Sequence, residues 1–304
     1  MKDINKEFSD ACENGNLDLA KELLETNPMI DISFNNDLPF QEACNNGHLN
    51  VAKWLLQIKP TIDISARDES AFKFSCMRGH FDVIKWLLEI KPDIDISANY
   101  NEAFRYACAD GHLDIAKWLL EIKPDIDISA EDEEPFRSAC EYNRLNVAKW
   151  LLEIKPDIDI SAENEEAFRL ACSNGRVNVV KWLLKVKPTI DISAEHNEAF
   201  IYACYYGHLD VAKILLKKKP DLVFSAEEEF ISACTKGYLD IAKWLLEIKP
   251  DIDITAQNNG AFINACETGE LKTARWLAGL RPDKYKITLN NDGNDDSISY
   301  EILL

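Results

Sequence analysis

Cysteine recurs at a fixed interval through this chain. Cys12, Cys44, Cys76, Cys108, Cys140, Cys172 and Cys204 are each 32 residues apart; Cys234 follows after 30 and Cys266 after another 32. Phenylalanine keeps the same step from Phe8 and Phe40 through to Phe230 and Phe262, and proline from Pro28 and Pro60 to Pro250 and Pro282. A period of this length marks stacked supersecondary units, each too small to bury its apolar face alone. The expectation is a solenoid of nine repeats over residues 1–283, then an aperiodic tail at 284–304. Such a stack grows along one axis, so 304 residues need no single large core.

One repeat shows the local logic. In the segment 102–110, Phe104, Ala107 and Cys108 share one face of a short helix. Gly111 ends it, since a helix C-terminus favours a left-handed residue. Repeat five has Asn143 there, the other residue that tolerates that conformation. A second helix over 112–122 is apolar nearly all round, interrupted only by Asp114, Lys117 and Glu121, and so must be buried on several sides. Pro124 stops it. The following Asp125-Ile126-Asp127-Ile128-Ser129 alternates as an extended, strand-like arm does.

Helix, turn, helix and arm in about 32 residues resembles the ankyrin repeat. The turn is kept as Gly47-His48, Gly79-His80, Gly111-His112 and Gly207-His208, and the second helix as Val51-Ala52-Lys53-Trp54-Leu55-Leu56 and its copies. The family's Thr-Pro-Leu-His helix start is not kept: its proline survives only at Pro39 and Pro135, and Phe replaces its Leu. The resemblance implies an all-α solenoid of helix-turn-helix repeats with extended arms, acting in protein–protein interaction. The idiom AKWLLEIKPDIDISA is similar to the expanded ankyrin-repeat families of giant DNA viruses of amoebae, which implies a viral protein acting in a host cell.

Several classes of activity are excluded at this stage. No segment nears the roughly 18 consecutive apolar residues of a membrane span, and residues 1–7 have no apolar core, so a cytoplasmic (or nuclear) chain is expected. An odd cysteine count with one per repeat argues against disulfides, because equivalent positions in stacked helical repeats lie roughly 10 Å apart. Each cysteine follows a small residue and reads as a packing position. No nucleophile–base pair, phosphate-binding glycine loop or metal-ligand spacing occurs, so neither catalysis nor a cofactor is expected. A net charge of −19 opposes binding to nucleic acid. It suits a protein partner with a basic segment, bound by a monomer.

Irregular positions carry the remaining information. Glu22 replaces the recurring Trp of the second helix and marks an N-terminal cap. The arm between repeats seven and eight is two residues short, which predicts a local change there. In the tail, two alternating runs around Asp292-Gly293 predict a β-hairpin, either covering the last repeat or docking a partner.

Ankyrin proteins contact partners through arm tips and first-helix ends, and here those positions vary between near-identical repeats. The candidate partner-binding residues are Tyr100, Glu131, Asp132, Glu133, Glu134, Tyr142, Glu165, Glu166, His196, Tyr205 and Tyr206: an acidic stripe studded with tyrosine. Two readings compete. One is an interaction scaffold, such as an adaptor or decoy; the other is an acidic nucleic-acid mimic, whose binding should fall steeply with salt.

Overall fold

Phenylalanine and cysteine form the spine of every repeat. All nine Phe of the period are essentially inaccessible, and all nine Cys are free, buried thiols. The computed structural model describes residues 3–289 and 298–303; the Asp292-Gly293 turn lies outside them. These residues form two compact units, Met1–Glu163 and Asn164–Leu304.

Among the described residues are eighteen helices and two strands. The first unit holds α1 (Ile4–Glu13), α2 (Leu17–Thr26), α3 (Phe34–Asn45), α4 (Leu49–Ile58), α5 (Ala66–Arg78), α6 (Phe81–Ile90), α7 (Ala98–Asp110), α8 (Leu113–Ile122), α9 (Ala130–Glu141) and α10 (Leu145–Ile154). Next come α11 (Ala162–Ser173), α12 (Val177–Val186), α13 (Ala194–Tyr205), α14 (Leu209–Lys218), α15 (Ala226–Thr235), α16 (Leu239–Ile248), α17 (Ala256–Glu267) and α18 (Leu271–Leu280). Strands β1 (Tyr285–Leu289) and β2 (Ile298–Ile302) pair antiparallel, Ile287 opposite Tyr300. The chain thus forms about nine helix pairs followed by a small two-stranded sheet.

Successive repeats interlock through rings and turns. Phe8 meets Trp54 at 6.3 Å, Phe40 meets Trp86 at 6.3 Å and Phe104 meets Trp150 at 6.4 Å; in the second unit Phe200 and Phe230 meet Trp244 and Trp276. In the turns that a histidine of the next repeat covers, glycine is needed twice over. Gly47 has φ +77°, which disfavours any L side chain, and a Cβ there would collide with the His80 ring of the next repeat. Asn143 keeps the left-handed conformation at φ 63°. The turn histidines are therefore packing residues: burial holds His80 and His208 below the ordinary imidazole range, against hydrogen bonds to the backbone of Asn45 and Ser173.

No strand forms in the arms. The Asp of each Ile-Asp-Ile-Ser accepts from the backbone N–H two residues on, Ser129 to Asp127 at 2.9 Å and likewise at Ser33, Ser65, Ser97, Ser161 and Ser193. This side-chain turn competes with an extended path. Three consecutive residues then take left-handed backbone before the first helix proceeds: Arg67, Asp68 and Glu69, or Glu131, Asp132 and Glu133, in seven repeats. Repeat eight, two residues shorter, has no such turn; Ser225 caps α15 directly, its Oγ accepting from the Glu228 N–H.

The tail takes the place of a tenth repeat. Tyr285 stacks on Phe262 at 4.1 Å and Tyr300 meets the same ring edge-on, where a Trp would otherwise come. The Tyr285 hydroxyl donates to Asn259 and the Tyr300 hydroxyl to Glu267.

Candidate protein-interaction surface

The left-handed turn sorts its three residues by role. The first two are exposed, as at Glu131 and Asp132, Asn99 and Tyr100, or Glu195 and His196. The third turns inward and ties repeats together. Glu133, only 9% exposed, accepts from the Ser129 hydroxyl at 2.7 Å and from the Asp159 N–H of the next arm at 3.3 Å. Asp37 does the same with Ser33 and the Asp63 N–H, and Glu165 accepts from the Asp191 N–H at 3.2 Å. Asn197 keeps the link in another form, donating from Nδ2 to the Val223 carbonyl.

The acid that follows the turn is engaged too. Lys73 Nζ lies 2.5 Å from Glu102, Arg105 lies 3.6 Å from Glu134, and Arg169 pairs with Glu198, each cation coming from the preceding repeat. The same Arg side chains donate to carbonyls of their own turn, Arg105 to Asn99, Arg137 to Glu131 and Arg169 to Asn164. Burial opposes the charge of Glu102, but hydrogen bonds from Lys73, Tyr106 and Asn99 outweigh it and hold the carboxyl down at about 2. The hydrogen bond to Glu102, with burial, pushes the Tyr106 hydroxyl up to about 12.

The candidates fall in both units. In the first, Tyr100 (73% exposed), Glu131, Asp132 and Tyr142 face solvent, whereas Glu133 is buried and Glu134 is half-buried beside Arg105 and Ser138. In the second, His196, Tyr205 and Tyr206 face solvent, Glu165 is buried and Glu166 half-buried. The structure brings Tyr205 and Tyr206 together edge-on at 5.0 Å, with Tyr202 at 5.9 Å from Tyr206. It adds a contact from the next first-helix end: the Lys236 ammonium sits 4.0 Å from the Tyr205 ring centroid. Beside them a groove of ≈ 550 Å³ runs along α15 and α17.

The cysteines of the repeats are held as thiols. Burial pushes the thiols up, Cys12 and Cys234 to about 12 and Cys266 to about 11, so the nucleophilic thiolate is suppressed. Among the described residues no group of three or more potential metal ligands comes together, and no helix is long and apolar enough to cross a membrane.

Repeated helix pairs around a Phe–Cys spine, with exposed variable residues at turns and helix ends, define a repeat scaffold. A family model described as ankyrin repeats (three copies) matches residues 8–68, 72–164 and 136–225, and the chain belongs to the ankyrin-repeat family. Solved chains similar to it include the human ASB11 ankyrin repeat domain, 20% identical with a TM-score of 0.50 over 70% of this chain and 97% of that one. At that identity the likeness shows the fold alone. No curated protein matches the chain. Ankyrin repeats generally mediate protein–protein interaction and are typically non-catalytic.

Proposed function

We propose that this chain is a non-catalytic scaffold that binds a protein partner through the exposed residues of its left-handed turns and the ends of its first helices. One observation carries the reading: framework positions repeat almost unchanged, while the exposed residues at those two places differ from repeat to repeat. In the first unit the exposed residues there include Asp68, Tyr100, Glu131, Asp132 and Tyr142, together with Arg67 and Arg78; the acids and tyrosines from Tyr100 to Tyr142 suit a partner with a basic segment. The likeness of its idiom to giant-virus ankyrin families supports a viral adaptor or decoy working as a monomer in the host cytoplasm. The nucleic-acid mimic draws less support, because Glu133 and Glu165 are buried and Glu134 stands beside Arg105.

The test is affinity capture with the full chain beside two variants, one with Glu131→Lys and Asp132→Lys, the other with Tyr100→Ala and Tyr142→Ala. A specific partner held by the parent and lost by both variants is the expected result. Retention by both at parental levels would overturn the reading. A partner lost only by the charge variant, with binding that collapses as salt rises, would favour the mimic.

A further inference from the structure

A column of cations runs along the first helices and then stops. Lys73, Arg105, Arg137 and Arg169 occupy one repeat position, and Glu102, Glu134, Glu166 and Glu198 each follow 29 residues later. The next members of the column are Ile201, Ile231 and Ile263. Glu228 keeps the place of the acid, but Ile201 now stands where its cation would be. None of the described residues pairs with the Glu228 carboxylate, which is exposed.

The groove of ≈ 550 Å³ opens at this break, lined among others by Tyr205, Glu228, Ile231, Ser232, Lys236 and Asn264. Its volume suits one large side chain with the residues flanking it. The Ser232 Oγ is buried there and makes no hydrogen bond. A buried polar group left unpaired costs free energy that a ligand can recover. Lys236 does not fill the gap at Glu228, since its ammonium lies against the Tyr205 ring.

We propose that this groove of the second unit takes an arginine side chain from a partner segment, its guanidinium meeting Glu228 as Arg169 meets Glu198. The proposal rests on the scaffold reading and names the chemistry of one contact. Arginine fits better than lysine because its planar fork can bond a carboxylate twice and still offer an N–H to Ser232. The stem would lie along Ile231, apolar where the first four members of the column carry charge. Lys236 sets the specificity: one arginine among neutral or acidic neighbours is accepted, and a polybasic run is repelled.

The experiment is a titration of the full chain, with labelled isoleucine methyl groups, by the peptide acetyl-Gly-Arg-Gly-amide. The same peptide with citrulline replaces the cation by a neutral group of the same shape. Titration runs to about 20 mM, beyond the millimolar constant expected of one such contact. Ile201 and Ile231 methyl signals should move with the arginine peptide, at least tenfold more weakly with citrulline. Glu228→Gln, an exposed change that leaves packing alone, should abolish the shifts; Ile201→Arg should block binding by supplying the guanidinium from within. Equal response to citrulline, an unchanged titration in Glu228→Gln, or no movement at either isoleucine would overturn the site. Such a failure leaves the capture experiment on Glu131, Asp132 and the tyrosines untouched, so the two readings fail separately.

Discussion

Glu131 and Glu133 stand two residues apart in one turn with opposite roles. Truncating Glu133 leaves the Asp159 N–H and the Ser129 hydroxyl without their acceptor, so Glu133→Ala should cost about 1–3 kcal/mol in urea unfolding. Glu131→Ala, at an exposed side chain, should stay within about 0.5 kcal/mol of the parent. Equal costs would mean the inward link is not what holds the turn. Glu229 is buried in repeat eight, which lacks the left-handed turn. Burial, with the charge of Glu228, raises its carboxyl from 4.5 to about 7. The folded chain thus holds a proton that the unfolded chain has released above pH 4.5, so stability falls as pH rises from 4.5 to 7 and stays lower above that. The loss is about 3 kcal/mol at full burial and smaller where water reaches the carboxyl. Glu229→Gln should flatten that part of the urea-midpoint profile and exceed the parent at pH 8; a profile unchanged by the substitution would refute the assignment.

Among elements, those fixed by spacing were legible and those fixed by side-chain hydrogen bonds were not. The apolar faces of the helices, the Gly turns and the two tail strands follow from periodicity. The Asp-Ile-Asp-Ile-Ser run reads as a strand only if its side chains are ignored; the second Asp bonds the backbone and turns the chain. A signal for the left-handed turn was present but unused: Asn35, Asn36, Asn99, Asn101, Asn164, Asn197, Asn258 and Asn259 all fall in it, and Asn tolerates that backbone best after glycine. The same blindness affected the site, since alternation gives no hint that Glu133 and Glu165 face inward while their neighbours face out. At this scale Asp132→Gly, at φ 55° and exposed, should relieve strain and stabilise by about 0.5–1 kcal/mol, read as a raised Tm. The tail gives a contrasting expectation. Tyr285→Ala removes the ring stacked on Phe262 and should cost about 3–5 kcal/mol, whereas Tyr285→Phe keeps the stack and loses only the bond to Asn259, about 1 kcal/mol.

Across the whole molecule, stability is a sum over repeats and their nearest-neighbour interfaces, so the weakest interface sets where a stack first opens. Within each unit, interfaces draw on a ring pair, an inward side-chain link and, at Lys73–Glu102, Arg105–Glu134 and Arg169–Glu198, a cation from the preceding repeat beside the acid of the next. Repeat eight lacks two of the three. Among the described residues none pairs with the Glu228 carboxylate, where Ile201 replaces the cation, and Glu229 makes none of the links that Glu133 and Glu165 make to the next arm. The ring pairs Phe200–Trp244 and Phe230–Trp276 remain, so repeat eight stays packed but is held less tightly than its neighbours. The place with the missing cation is also the place with the groove, so local looseness and recognition coincide there. Native-state hydrogen exchange in low urea should therefore find α15 and α16 opening at a lower free energy than α13 and α14 in the same unit. Ile201→Arg should raise that opening energy by about 0.5–1 kcal/mol, the range of a partly exposed ion pair, and should leave exchange in the first unit unaltered. One shared opening energy for all four helices, unmoved by the added arginine, would show that ring packing alone governs the stack.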